Sequence, residues 1–203
     1  MSIFRTSLLF TLALLFVTHL HSQVVVDVEY KGERSAVELI QEYGLLVQNG
    51  VEFWKVTYTT PDVFNQLDTA SGLLVVPVRE QTTVYPLLVY QHGTVDGPQD
   101  VPSNLQGGYQ IAEIFGSLGY VTLAPDYLGA GEARGFHPYV HRESEASAAV
   151  DMIRALRTSA PEMDILLKFA LFYSEFSQEG ISSSRDFHFI VLFLFYLKII
   201  FLF

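Results

Sequence analysis

The sequence predicts an α/β fold that consists of a mixed sheet with helices on both of its faces. Residues 86–91 are mostly apolar and end in His-Gly-Thr, which is typical of a buried strand that runs into a functional loop. Residues 119–124 repeat this pattern. Between the two runs, apolar residues recur close to helical spacing at Tyr109, Ile111, Ala112, Phe115 and Leu118. These features predict a βαβ unit with parallel strands near 86–91 and 120–124 and a helix near 108–118.

The first 22 residues have the layout of a secretory signal peptide. Arg5 precedes an apolar run from Leu8 to Val17, and Ser22 provides a small residue before Gln23. A membrane-anchoring helix is the alternative, but the run is shorter than the roughly 20 residues that span a bilayer. We therefore expect a secreted, extracellular protein.

The composition excludes several classes of function. The 203 residues include 22 acidic and 12 basic side chains, which gives a formal net charge of −10. Because no basic run is present, we expect no nucleic acid as a partner. The sequence contains no cysteine, which excludes disulfides, a thiol nucleophile and cysteine-based metal sites.

A helix is expected near the start of the mature chain. Ser35 and Glu38 fit a capping box, and Gly44 is a typical helix terminator. The pattern predicts that helical character begins at Lys31.

Strands are expected between this helix and the βαβ unit. Asn49-Gly50 suits a two-residue turn, which predicts a hairpin between strands at 45–48 and 51–60. A further strand is expected at 70–78. An antiparallel entry therefore precedes the parallel unit.

Two long loops follow the strands of the βαβ unit. Residues 94–108 and 126–142 are rich in Gly, Pro, Asp and Asn, and loops of this length after a strand are usually functional or mobile. Residues 143–160 have one-face apolar spacing and predict a helix that ends before Pro161.

Three motifs in this region resemble a known superfamily. Tyr-Gln-His-Gly-Thr at 90–94 and Ala-Pro-Asp-Tyr-Leu-Gly-Ala-Gly-Glu at 124–132 resemble the α/β-hydrolases. Gly-Phe-His-Pro-Tyr at 135–139 narrows the resemblance to the secreted lipase and esterase branch. The resemblance covers about residues 50–160, so it implies an incomplete, N-terminal part of the α/β-hydrolase fold. It also implies a carboxylic ester hydrolase that acts on a small-molecule or lipid ester without a cofactor.

The resemblance gives roles to residues at the strand ends. It implies that the Thr94 backbone N–H donates to the oxyanion hole, with His92 and Gly93 shaping the turn. The alternative is that His92-Gly93 only turns the chain after a buried strand. Asp126 is expected to brace the oxyanion loop, although a catalytic role is the alternative. The spacing of Gly129 and Gly131 does not make a dinucleotide fingerprint.

No catalytic nucleophile is identifiable. A serine hydrolase of this type needs Gly-x-Ser-x-Gly on a sharp turn, and the sequence contains no such pattern. Ser177 has Glu175 and Glu179 in place of the glycines, and Ser182 has Ser184 in place of the second. Triad partners for these serines would have to be Asp186 and His188, which lie too close in sequence to converge from separate loops. His137 and His141 are expected to shape loops.

The last part of the sequence does not fit the resemblance. Residues 187–203 are almost unbroken Phe, Leu and Ile, and Lys198 interrupts them. One interpretation is a tail that anchors the protein in a membrane, and this tail is the one place where membrane contact is expected. The favoured interpretation is a truncated or mispredicted gene product, with a signal peptide at 1–22, part of a hydrolase domain at 23–163 and an aberrant tail at 164–203.

Two functions are therefore expected as alternatives. The first is a secreted serine esterase or lipase that is inactive as it stands, and the second is a catalytically silent pseudoenzyme that binds a ligand or is tethered to a membrane. A metal hydrolase is disfavoured because the sequence has no carboxylate cluster, so no metal ligand is assigned.

Overall fold

The computed structural model describes residues 24–78 and 83–175, which form one six-stranded mixed sheet with helices on both faces. The strands are β1 (Val25–Arg34), β2 (Gly50–Pro61), β3 (Leu67–Val78), β4 (Val84–Gln91), β5 (Val121–Pro125) and β6 (Leu166–Glu175). The helices are α1 (Ala36–Tyr43), α2 (Tyr109–Ser117) and α3 (Arg142–Ser159). Within the described ranges, every helix is too short or too polar to span a bilayer.

The strand order is β1-β2-β3-β5-β4-β6. The first four of these strands pair antiparallel, whereas β4 runs parallel to both β5 and β6. The predicted βαβ unit, β4-α2-β5, is therefore confirmed. So is the predicted mixed α/β sheet.

The two faces of β4 account for the two halves of the core. Successive side chains of a strand point to opposite faces. Leu87 and Val89 pack with apolar residues of α3 on one face. Leu88 and Tyr90 pack on the other face, in the cluster that contains buried residues of α1 and α2. Because both faces of β4 are covered, its sequence is an apolar run without alternation.

Helix α1 begins as the sequence predicts. The Ser35 hydroxyl accepts the Glu38 N–H, and the Glu38 carboxylate accepts the Ser35 N–H at 2.7 Å. This is the predicted capping box. The prediction of helical character from Lys31 is wrong, because residues 31–34 belong to β1. Strand β1 lies at the edge of the sheet. Its residues 26–31 alternate apolar and polar side chains, a strand pattern that the prediction of helical character overlooked.

The predicted hairpin turn at Asn49-Gly50 is also wrong. Residues 45–48 form no strand, and β2 pairs instead with β1 and β3. The Asn49 backbone N–H and side-chain amide both donate to the carbonyl of Ser117, at the end of α2, at 3.0 Å. A Cβ at Gly50 would lie 2.8 Å from the Arg34 carbonyl oxygen. This residue pair therefore serves tertiary packing.

Strand β6 was not predicted. It pairs with β4 over 166–175 and extends the sheet beyond residue 163. The proposed domain boundary at 163 stays a prediction. The predicted signal peptide at 1–22 and the apolar stretch at 187–203 lie outside the described residues.

Candidate active site at the carboxyl edge of the parallel strands

Two loops leave the sheet at the same edge. Strands β4 and β5 are parallel neighbours with Leu87 beside Val121 and Val89 beside Leu123. The loop at 92–108 follows β4, and the loop at 126–141 follows β5. In open α/β sheets, ligands bind outside the carboxyl ends of the strands. The sequence-predicted site residues all lie in these two loops.

The turn at His92-Gly93 is buried and held by Tyr127. His92 is 1% exposed, and its carbonyl accepts the Tyr127 hydroxyl at 3.1 Å. The His92 and Tyr127 rings also lie against each other, with centroids 4.4 Å apart. The His92 Nδ1 lies 2.7 Å from the Gly93 carbonyl oxygen, which only accepts, so Nδ1 carries a hydrogen in this contact. These contacts fix the peptide that precedes Thr94.

Thr94 is the exposed end of this turn. Its hydroxyl shares a 3.1 Å hydrogen bond with the hydroxyl of Tyr139, in the second loop. No hydrogen bond within residues 24–78 and 83–175 uses the Thr94 backbone N–H. Thr94 and Gly93 line a groove of about 520 Å³, together with Tyr90, Asp96, Asp100 and Gln110 among others. An available backbone donor therefore lies beside a cavity large enough for a small ligand.

Asp126 joins the two loops to strand β3. One carboxylate oxygen accepts the Ser71 hydroxyl at 2.6 Å, and the other accepts the Ser103 N–H at 3.0 Å. Burial raises the pKa of Asp126, while the hydrogen bonds from Ser103 and Ser71 oppose that rise. Because the pKa of Asp126 is higher in the folded state than in the unfolded state, protonated Asp126 stabilises the fold at low pH. This contribution is lost as the pH rises through the folded-state pKa. Ser103 lies inside the first loop, so its hydrogen bond to Asp126 is the contact through which Asp126 would brace that loop.

Gly131 lies against this carboxylate. Its φ of 59° is left-handed, and a Cβ there would lie 2.5 Å from the Asp126 Oδ2. The Ser71 hydroxyl, which also accepts the Glu132 N–H at 3.0 Å, would be even closer to that Cβ. Gly131 therefore leaves room for the buried Ser71–Asp126 hydrogen bond.

We predict that Gly131→Ala lowers the free energy of unfolding by about 3 kcal/mol. The left-handed backbone costs an alanine about 1–2 kcal/mol, and displacement of a buried hydrogen-bonded carboxylate adds a similar amount. Urea unfolding measures the change. Gly97→Ala is the matched control, because a Cβ at Gly97 meets no atom within 4 Å and its φ is not left-handed. An equal loss in both variants would contradict the packing argument.

His137 and His141 both have structural contacts. The ring of His137 stacks near Tyr127, with centroids 6.1 Å apart, and its Nδ1 lies 2.8 Å from the Leu128 carbonyl oxygen. His141 is the N-cap of α3, where its Nδ1 accepts the Ser144 N–H at 3.3 Å. These contacts agree with the expected loop-shaping roles. In the part of the chain that the structure describes, no three His, Asp or Glu side chains are grouped as a metal site would require.

Several residues of the site have no sequence signal that identifies them. Ser71 lies in β3, Ser103 in a short 3₁₀ turn and Tyr139 near the end of the second loop, and each contacts its partner across a long stretch of sequence. Tyr127 belongs to the motif at 124–132, but its hydrogen-bond partner His92 lies 35 residues earlier in the sequence. Ser177, Ser182, Asp186 and His188 lie outside the described residues.

Solved structures of hydrolases resemble this fold. The rice cell wall degrading esterase LipA from Xanthomonas oryzae superposes with a TM-score of 0.73 at 26% identity, covering 81% of this chain and 46% of that one. A Legionella pneumophila protein assigned as a hydrolase superposes with a TM-score of 0.70 at 31% identity, covering 78% and 45%. Candida antarctica lipase A shares the fold at 13% identity with a TM-score of 0.51, and the match covers 79% of this chain and 36% of that one.

The chain thus spans about half the length of the first two solved structures. No protein-family model matches the sequence, and no curated protein sequence does. The six-stranded mixed sheet and these structural similarities lead to the same assignment. The chain carries part of an α/β-hydrolase fold and is related to the hydrolases of that superfamily.

Proposed function

We propose that residues 24–163 supply the oxyanion-binding part of a carboxylic ester hydrolase of the secreted esterase and lipase type. The observation that supports this proposal best is the Thr94 N–H, which lies beside a groove at the carboxyl edge of parallel strands and has no acceptor within the described residues. The similar structures include proteins named as an esterase and a lipase. Esters are therefore the proposed substrates.

The geometry suits this chemistry. Ester hydrolysis builds negative charge on the carbonyl oxygen, and a donor that is already oriented stabilises that charge without reorganisation. The His92–Gly93 peptide is held by Tyr127, the Gly93 carbonyl contacts the His92 ring, and the Thr94 side chain is held by Tyr139. Asp126 ties the first loop to β3 through Ser103 and Ser71. The donor is therefore attached to the sheet through both loops.

We also propose that the sequence as printed lacks a working nucleophile. Strand β6 runs parallel to β4 and ends at Glu175, which lies in register with Gln91. In sequence, Ser177 follows this strand by two residues, and the nucleophile of the superfamily follows a strand in the same way. Glu175 and Glu179 replace the glycines of the motif. In the sharp turn of the superfamily motif, a side chain at either glycine position would collide with the neighbouring backbone, so glutamate does not fit the motif.

The alternative is a catalytically silent protein that binds an ester or is tethered to a membrane. The glutamates beside Ser177 favour it, because they leave the Thr94 groove without a serine of the required pattern. The nucleotide sequence beyond codon 163 distinguishes the two. A Gly-x-Ser-x-Gly in another frame supports a truncated or mispredicted enzyme, and a transcribed stop after Phe203 supports the silent protein. Residues 1–22 support secretion, and an exported product that begins at Gln23 would test that proposal.

We predict that the unmodified chain hydrolyses short-chain p-nitrophenyl esters no faster than a heat-denatured sample. An oxyanion hole without a nucleophile retains at most about 10³-fold of rate enhancement, and only when the rest of the site is assembled. Initial rates of p-nitrophenol release measure the activity. Robust turnover that Ser177→Ala or Ser182→Ala abolishes would contradict the prediction.

The proposed function is tested in a chimera. Chimera 1 joins residues 24–163 of this chain to the part of the Xanthomonas esterase that follows the corresponding position. Because the triad of the superfamily follows in the chain order Ser, acid, His, that part is expected to supply the nucleophile, acid and histidine, whereas this chain supplies Thr94. Esterase activity in chimera 1 supports the proposal. A folded chimera 1 without activity would contradict it.

A further inference from the structure

A separate cavity of about 300 Å³, the amino-edge cavity, lies between strands β1–β3 and the 3₁₀ turn that follows α3. Ile165, in its lining, directly precedes β6, whose first residue pairs with Val84 at the start of β4. The cavity is therefore at the amino ends of the parallel strands, and the length of β4, roughly 25 Å, separates it from Thr94. Its lining includes one indole and two carboxylates among apolar side chains: Val28, Glu52, Trp54, Val76, Glu162 and Ile165.

The sheet forms one wall of the amino-edge cavity. Glu52 pairs with Val76 across strands β2 and β3, and Trp54 pairs with Tyr30 across β2 and β1. The Tyr30 and Trp54 rings pack edge to face, with centroids 4.9 Å apart. The Trp54 Nε1–H donates to the Glu52 carboxylate at 3.2 Å. Strand pairing and ring packing thus fix the positions of the indole and of one carboxylate.

The turn after α3 forms the other wall. The Ile165 N–H donates to the Ala160 carbonyl at 2.9 Å, which closes the turn, and both of these side chains are buried. Met163, also in the lining, packs against the apolar core from the same turn. Glu162 is exposed at the mouth. Because these contacts form without a ligand, the cavity is preformed, as ligand sites usually are.

The two carboxylates of the cavity have no cationic partner among residues 24–78 and 83–175. Other exposed glutamates do, since Glu29 pairs with Lys31 and Glu132 pairs with Lys55. Neither Glu52 nor Glu162 forms such a pair within those ranges. Two carboxylates without counterions at the mouth of one cavity produce a local negative potential that attracts cations.

The neighbouring phenol responds to this potential. Desolvation and the charges of Glu33 and Glu52 raise the pKa of Tyr30, which packs against Trp54. The direction agrees with an excess of negative charge on this side of the sheet.

The mixture of groups in the cavity favours one class of ligand. A neutral apolar molecule would desolvate the carboxylates of Glu52 and Glu162 without compensation. A metal ion needs several converging ligands, and the described part of the chain groups no three His, Asp or Glu side chains in that way. An organic cation satisfies both parts of the lining, because its charge offsets the carboxylates while its carbon atoms contact the indole and the aliphatic side chains. Tryptophan is the aromatic residue that attracts cations best.

We propose that the cavity lined by Glu52, Trp54 and Glu162 binds a small organic cation, a free quaternary ammonium compound of the size of choline. This site lies at the other edge of the sheet from Thr94, so it does not depend on the proposed ester hydrolysis. The same glutamates disfavour an anionic group on the ligand. A phosphocholine headgroup carries such a group beside its ammonium and is therefore expected to bind more weakly.

The test uses the fluorescence of the unmodified full chain. Trp54 is the only tryptophan in the sequence, so its emission reports on this cavity. The chain is titrated with choline and with 3,3-dimethyl-1-butanol, which has the shape of choline without the charge. We expect a saturable response with a Kd for choline at least about fivefold below that for the alcohol. Phosphocholine should have a Kd at least about threefold above that of choline.

Two variants remove charge and preserve the shape of the lining. Glu52→Gln keeps an oxygen that can accept the Trp54 Nε1–H, and Glu162→Gln changes an exposed residue on which folding does not depend. Each should raise the Kd for choline about two- to fivefold and leave that for the alcohol unchanged. Glu29→Gln is the matched control, because Glu29 follows Val28 in β1 and therefore points to the opposite face of the sheet. It should keep the Kd for choline.

Several outcomes would overturn the proposal. Equal Kd values for choline and the alcohol would show that the cavity selects shape and not charge. A choline response that neither Glu52→Gln nor Glu162→Gln weakens would place the cation elsewhere, and the absence of any Trp54 response would exclude the site. Tighter binding of phosphocholine than of choline would assign the cavity to a phospholipid headgroup and contradict a free cation as the ligand. None of these results bears on Thr94, whose role is measured by ester hydrolysis.

Discussion

Esterase activity is expected to rise by at least about 10³-fold when glycine replaces both glutamates beside Ser177 in a second chimera. Chimera 2 carries residues 24–180 of this chain, followed by the remainder of the Xanthomonas esterase. At the position of the Gly-x-Ser-x-Gly motif it therefore has Glu-Phe-Ser-Gln-Glu, residues 175–179. The variant Glu175→Gly with Glu179→Gly restores Gly-x-Ser-x-Gly. Loss of a serine nucleophile costs about 10⁶-fold in kcat in the best-studied protease, so a restored one has a large effect.

The control for this experiment is the same double variant with Ser177→Ala. It should return the kcat of chimera 2 to its starting value, because the hydroxyl is then absent. Activity of chimera 2 without the glycines, or a gain that survives Ser177→Ala, would show that another residue is the nucleophile. Either result would contradict the proposed effect of Glu175 and Glu179.

The central part of the fold was predictable from sequence because it depends on local patterns. Strand β4 is covered on both faces, so its apolar run stands out, and α1 has a capping box that its hydrogen bonds reproduce. Strand β1 was missed although residues 26–31 alternate apolar and polar side chains, because the helical pattern was extended back to Lys31. Asn49-Gly50 has the composition of a hairpin turn but contacts the end of α2, which a local rule cannot anticipate.

The candidate site was predictable only in part, for a related physical reason. Thr94 and Asp126 follow apolar strands in motifs that resemble a superfamily, so sequence directs attention to them. Ser71 and Tyr139, which hold them, are 55 and 45 residues away from their partners. Such contacts depend on which strands become neighbours.

Thr94→Pro in chimera 1 is expected to lower kcat by about 10²- to 10³-fold. Proline has no backbone N–H, so the variant removes the proposed oxyanion donor, and loss of one such donor has this cost in known enzymes. Thr94→Ala is the matched variant, since it keeps the N–H and loses only the hydroxyl that contacts Tyr139. One exposed hydrogen bond corresponds to less than about tenfold in rate.

The most direct test of the oxyanion role is to measure kcat and KM separately for chimera 1 and for these two Thr94 variants, with circular dichroism to show that all three are folded. A donor that acts on the transition state lowers kcat and leaves KM nearly unchanged. The account predicts this result for Thr94→Pro and a kcat near that of chimera 1 for Thr94→Ala. A folded Thr94→Pro variant that retains its kcat, or an equal loss in Thr94→Ala, would contradict it.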